Sequence, residues 1–236
     1  MVQLIVPGGL LLALTFGALA VQAPGDLIIG ALAKTRLFVA ITGLSVVVYL
    51  LAVRTVVRRA PARGSLWIVL LVAVAMRLPL IAAPPFLSSD VYRYVWDGRV
   101  QAAGINPYRY IPAAPALAFL RDQAVYPNIN RADWAPTIYP PAAQVIFAAV
   151  GQVWSSVTGI KLAMVAFEAL AVFCLLRLLA IAGLPSERVL IYAWNPLAAW
   201  AFAGNGHIDA AAIGLLAAAL LLRARHRDGW TGCILG

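Results

Sequence analysis

Carboxylates, guanidinium groups and aromatic rings gather in one run of an otherwise apolar chain: Ser88-Ser89-Asp90-Val91-Tyr92-Arg93-Tyr94-Val95-Trp96-Asp97-Gly98-Arg99-Val100-Gln101. A serine followed by an acid reads as a capped helix start with the acid in its first turn. At about 100° per residue, Asp90, Arg93, Tyr94, Asp97 and Gln101 fall in one sector, while Val91, Val95 and Trp96 lie elsewhere. The spacing therefore predicts an amphipathic helix at a membrane surface. A carboxylate there can take a proton from a hydroxyl, and an arginine can grip a phosphate bidentately. A plainer reading also fits: Asp90 complements the helix dipole and pairs with Arg93, with Tyr and Trp as headgroup anchors.

The helix opens a long polar stretch, about 84–140, punctuated by Gly104-Ile105-Asn106-Pro107-Tyr108, Leu120-Arg121-Asp122, Asn128-Ile129-Asn130 and Thr137-Ile138-Tyr139-Pro140-Pro141. Its Pro, Gly and Asn content marks tight turns, and its length exceeds what a connector needs. Rings interleaved with Arg and Asp suit a sugar, stacking on its apolar face and bonding its hydroxyls. A second polar concentration is Gly204-Asn205-Gly206-His207-Ile208-Asp209, at the mouth of two apolar runs. Ionisable groups so placed are functional candidates, although an interfacial His beside an acid explains them as well. Two ligands at this spacing are too few for zinc, so no metal site is expected. Cys174 and Cys233 lie in or beside apolar runs, and neither a disulfide nor a cysteine metal site is expected. Glu168, inside an apolar run, can pair with Arg77 or donate a hydrogen bond when protonated.

These groups need a scaffold, and composition says which. Of 236 residues 63% are hydrophobic and 11% charged, which makes the bilayer the solvent. The fold class is all-α and polytopic, with spans expected at about 4–21, 37–53, 66–83, 162–179, 189–203 and 208–222. The first run lacks a basic leader and a cleavage site, so it reads as a retained span. The net charge of +9 is almost all Arg and belongs to membrane-side loops rather than to nucleic acid. Arg54, Arg58, Arg59 and Arg63 form the densest basic connection and should face the cytoplasm, which puts 84–140 outside. Arg223, Arg225 and Arg227 should also be cytoplasmic. Parity then requires that 138–157, with Pro140, Pro141, Gln144 and Gln152, be a surface or re-entrant helix rather than a span. The turn 204–209 then shares a membrane face with the long loop. A further span begins at 230–236, and a C-terminally truncated chain is expected.

The run Ser89-Asp90-Val91-Tyr92-Arg93-Tyr94 with Trp96-Asp97-Gly98-Arg99, then Gly104-x-Asn106-Pro107-Tyr108, Tyr139-Pro140-Pro141, Trp194-Asn195-Pro196-Leu197 and Gly206-His207-x-Asp209, resembles bacterial polyprenyl-phosphate-sugar-dependent glycosyltransferases of the GT-C superfamily. It is more loosely similar to the first mannosyltransferase of GPI-anchor synthesis. The resemblance covers about residues 77–222, and it departs from the commonest pattern in having two additional spans ahead of the loop.

The resemblance implies GT-C-like transmembrane helices with juxtamembrane helices in an extracytoplasmic loop. It implies transfer of a sugar, mannose-like, from a polyprenyl-phosphate donor to a lipid or glycan acceptor hydroxyl, with inversion, at a bacterial plasma membrane. Asp90 matches the family's loop aspartate and is the expected base, and Asp97 is the second acidic candidate. Arg93 and Arg99 are the candidate phosphate-binding cations, Arg93 ahead because the wheel sets Arg99 opposite Asp90. Tyr94, Tyr139, Asn205, His207 and Asp209 complete the expected donor contacts. The residues call for no cofactor, and a divalent metal is left open. The competing readings are a transporter, for which no internal repeat is found, and an inactive fragment of the enzyme.

Overall fold

Leu-, Val- and Ala-rich runs without period-two alternation can satisfy their backbone in lipid only as helices. The computed structural model describes residues 2–22, 31–58 and 64–235, and among these there is no strand. The helices are α1 (Val2–Gln22), α2 (Ala31–Arg58), α3 (Ser65–Ala82), α4 (Asp90–Ala102), α5 (Pro141–Trp154), α6 (Val157–Ile181), the short α7 (Leu190–Ala193) and α8 (Pro196–Ala198), α9 (Asp209–Ala224) and α10 (Asp228–Leu235). Of these, α1, α2, α3 and α6 are long and apolar enough to cross a bilayer. They occupy the stretches read as spans at 4–21, 37–53, 66–83 and 162–179. Their outer faces leave Leu51, Trp67, Leu71 and Leu78 uncovered, as helices facing hydrocarbon do. The chain is an all-α polytopic membrane protein.

Expected as one span, 189–203 is instead a series of pieces: a 3-10 turn at Ser186–Val189, then α7, α8 and a π turn at Ala199–Gly204. Pro196 is the cause. It has no N–H to donate and holds Asn195 in extended backbone, whose side chain accepts the Leu197 N–H to restart the helix. The stretch Pro196–Gly204 then meets α9 at a bend of 118°. α9 runs parallel to α6, because Gly206 touches Ile160, Gly214 touches Phe167, and Ala217 and Leu221 share a cluster with Ala171 and Cys174. The broken segment therefore returns the chain to the level at which α6 begins.

Two buried cations fasten this layer. Arg77 of α3 forms a bidentate pair with Glu168 of α6, at 3.0 and 2.6 Å, and also donates to the carbonyls of Ala73 and Ala193. Lys161, fully buried, donates to the carbonyls of Leu80 and Ala83 at 3.1 and 2.6 Å. It thereby fills the acceptors left open where α3 ends. Neither the capping role of Lys161 nor its burial is anticipated by its place in an apolar run.

The segment 138–157 forms α5, whose 14 residues reach only about 21 Å at 1.5 Å per residue, too short to span. α5 crosses α4 at Gly98 and Gly151, where each glycine's missing Cβ makes room for the other's backbone. A second core forms there, with Val91, Tyr94, Trp96 and Phe147 packed on Ile160, Phe202 and Ala210.

Candidate functional site

The first turn of α4 is set by two side chains. Ser88 Oγ accepts the N–H of Asp90 at 3.1 Å, whereas Ser89, in the cap position itself, makes no side-chain cap bond. Asn205 Oδ1 accepts the N–H groups of Phe86, Leu87 and Ser88 at 3.0, 2.8 and 3.3 Å, and its Nδ2 donates to the Trp200 carbonyl at 2.7 Å. Asn205 is only 1% exposed. Expected as a sugar contact, it is instead a clamp that fixes the chain leading into Asp90.

Asp90 is half-buried, and its Oδ1 accepts from Asn130 Nδ2 at 2.7 Å. The carboxylate opens on a cavity of about 170 Å³ shared with Arg93, Asn130, Arg131 and Tyr139. Arg131 holds a left-handed backbone, φ 56°, and its guanidinium lies over the Trp134 ring at 5.7 Å. Left-handed backbone at a non-glycine residue is costly and gathers at ligand sites.

Arg93 does not pair with Asp90. Its Nε donates to Asp97 at 3.0 Å and its Nη2 to the Ala135 carbonyl at 3.1 Å. Asp97 also accepts from Gln144 at 2.9 Å, and Gln101 in turn donates to Gln144. Burial raises the Asp97 carboxyl above its ordinary value, against the opposing pull of Arg93, Thr137 and Gln144. With 1% exposure, Asp97 anchors Arg93 and cannot meet an acceptor. The polar face of α4 thus turns inward rather than to a membrane surface, with Asp97 and Gln101 meeting Gln144 of α5 and Arg93 meeting the Ala135 carbonyl of the loop.

Tyr94 is also interior, stacked on Phe147 at 4.5 Å and edge-on to Tyr139 at 4.8 Å. Burial drives its hydroxyl far above the ordinary tyrosine value, with Tyr139 and negative Asp90 adding to the effect and the Ile208 backbone opposing it. Tyr139 stands between Tyr94 and the cavity, and burial raises its hydroxyl too. Arg99 lies elsewhere, donating to Ser155 at 2.9 Å and to Asp122 at 2.5 Å.

The turn 204–209 does come to α4. Gly206, at φ 68°, sits where a Cβ would meet Val91 at 2.9 Å and Lys161 at 3.4 Å. His207 is half-buried and Asp209 exposed, and neither lines the Asp90 cavity. Of the residues expected from sequence, Asp90, Arg93 and Tyr139 share the cavity, while Asp97, Tyr94 and Asn205 support it from behind. Asn130 and Arg131 were missed, although Asn128-Ile129-Asn130 stood out as a turn. Among the described residues no three His, Cys, Asp or Glu side chains converge as a metal site.

Apolar helices of spanning length that carry a polar cavity at one end define a membrane protein with a site built on its largest loop. Residues 7–236 match the family described as alpha-(1->6)-mannopyranosyltransferase, N-terminal domain, and the chain belongs to that family. It is 27% identical over 151 residues to alpha-(1->6)-mannopyranosyltransferase A of Mycobacterium tuberculosis, a match covering 64% of this chain and 29% of that protein. The chain thus spans less than a third of that relative's length in the match. No solved structure matches it.

Proposed function

We propose that the chain forms the catalytic end of a membrane mannosyltransferase that takes its sugar from a polyprenyl-phosphate donor. The acceptor hydroxyl oxygen attacks the anomeric carbon as the bond from that carbon to the phosphate oxygen breaks, with inversion. Asp90 takes the hydroxyl proton, and the polyprenyl phosphate leaves with the bonding electron pair. Arg93 and Arg131 supply positive charge where the phosphate departs. A mannose hydroxyl is the acceptor suggested by the (1->6) linkage in the relative's name.

One observation carries this reading: a partly open carboxylate, oriented by Asn130, shares one small cavity with two arginines and a tyrosine. The topology supports it. α3 begins after the Arg-rich connection and ends at the loop, so a cytoplasmic connection puts the cavity on the outer face of the plasma membrane, where a lipid-borne phosphate can reach it.

The test is mannosyl transfer by the full-length protein from polyprenyl-phosphate mannose to an oligomannoside. Asp90→Asn is expected to lose at least about 100-fold in kcat with an unchanged melting temperature. Undiminished transfer by this variant removes Asp90 as base. Wild-type transfer from a nucleotide sugar alone removes the lipid donor.

A further inference from the structure

α1 and α2 run antiparallel, and at the end bearing Arg54 and Arg58 they part to leave an open groove of about 750 Å³. Val6, Leu10, Val48 and Leu51 wall it, and Arg54 and Arg58 stand at its mouth. The two arginines are four residues apart and so share one face of α2. Both are exposed, and neither makes a hydrogen bond or ion pair within the described residues.

Four other arginines among the described residues are paired: Arg77, Arg93, Arg99 and Arg223 each hold a carboxylate. Around Arg54 and Arg58 the sequence offers none, for no Asp or Glu occurs between Asp26 and Asp90. An anionic ligand can supply the counter-charge that the neighbouring sequence does not. Pro7 in α1 adds a polar point, because it has no N–H to give the Gln3 carbonyl one turn earlier, and both residues line the groove.

An apolar trough capped by two uncompensated cations fits an amphiphile with a negative head. A further apolar helix seated here would cover Leu51 but leave both cations without an anion, and a free phosphate would leave the trough exposed. We propose that the groove binds an anionic glycerophospholipid, with an acyl chain along Val6, Leu10, Val48 and Leu51 and the phosphate between Arg54 and Arg58. This site is separate from the Asp90 cavity and does not depend on the reaction assigned there.

Delipidated protein in dodecyl maltoside would be titrated with phosphatidylglycerol, phosphatidylcholine of the same chains and glycerol 3-phosphate, with retention read by native mass spectrometry. Phosphatidylglycerol is expected to be retained at one molecule per chain, and Arg54→Gln/Arg58→Gln to weaken it about 30-fold, from roughly fivefold per cation. Leu51→Trp, which fills the trough from an exposed position and keeps the charge, is expected to weaken it too. Arg225→Gln/Arg227→Gln, which removes the same charge elsewhere, is expected to leave it unchanged. Equal retention of phosphatidylcholine, displacement by glycerol 3-phosphate, or equal loss in the Arg225/Arg227 variant would overturn the proposal.

Discussion

Asn130 donates to the Asp90 carboxylate across 2.7 Å, joining residues forty positions apart and closing the far end of the loop onto the first turn of α4. A single oriented hydrogen bond contributes about 1 kcal/mol, or roughly a fivefold to tenfold effect on a rate. Asn130→Ala is therefore expected to lower kcat about fivefold to tenfold with KM little changed, well short of the loss on removing the carboxylate itself. Asn130→Asp, which sets two negative charges together, should be worse than Ala. Steady-state kinetics of the two variants checks this, and wild-type kcat in Asn130→Ala would reduce the bond to a loop contact.

Asp122 ties Arg99 of α4 to the loop and caps the turn at Tyr126–Asn128 through the N–H groups of Val125 and Tyr126, at 2.7 and 3.3 Å. Burial pushes its carboxyl up, but those amides and Arg99 outweigh burial and hold it below the ordinary 3.8. A depressed folded value means that the stabilisation is complete above pH 3.8 and is lost as pH falls through the folded value. The difference in melting temperature between wild type and Asp122→Asn should thus be constant from pH 7 to about 5 and shrink below about 4. A difference that grows on acidification would contradict the assignment.

The contrast between Asp90 and Asn205 shows how much of this site is written locally. An acid in the first turn of a recognisable helix is visible as a pattern, and so is the apolar length of α1, α2, α3 and α6. Asn205 sits in a Gly-Asn-Gly turn that looks equally suited to a ligand, and only the fold reveals that three backbone N–H groups already occupy its oxygen. Lys161 is hidden for the same reason, since what it caps lies eighty residues away in α3. The break at Pro196 was visible as Asn-Pro, yet averaged hydropathy over 189–203 conceals it. Periodicity reports which face is polar, but not whether that face meets water or Gln144.

Gly98 and Gly151 meet so closely that a Cβ on Gly151 would lie 2.8 Å from the Gly98 carbonyl carbon and oxygen, and one on Gly98 would strike the Phe147 carbonyl. Backbone cannot swing aside as a side-chain tip can. Gly151→Ala should force α5 off α4 and destabilise the protein by about 1–3 kcal/mol. Because Gln144 of α5 holds Asp97, which holds Arg93, the same change should lower kcat even below the melting temperature. Thermal unfolding together with transfer assays checks both effects. Gly9, with nothing within 4 Å of its Cβ position, is the control, and Gly9→Ala should leave both unchanged.

The buried pair Arg77–Glu168 makes a prediction in which the double variant separates charge from hydrogen bonding. Removing one partner leaves the other charge uncompensated in the core, so Arg77→Met or Glu168→Met should each cost about 3–5 kcal/mol. Replacing both removes the charge problem, yet it does not restore everything. Arg77 also donates to the Ala193 carbonyl at 2.9 Å, just before the break at Asn195 and Pro196. That carbonyl would lose its donor, and a buried unsatisfied acceptor costs about 1–3 kcal/mol. Arg77→Met/Glu168→Met is therefore expected to be more stable than either single variant but about 1–3 kcal/mol below wild type, with the remaining loss at the broken segment. Equilibrium unfolding in mixed micelles reads the energies, and hydrogen exchange at Trp194 and Asn195 reads the place. Full recovery in the double variant would show that the Ala193 bond contributes nothing, and no recovery would show that the pair holds the helices by packing rather than by charge.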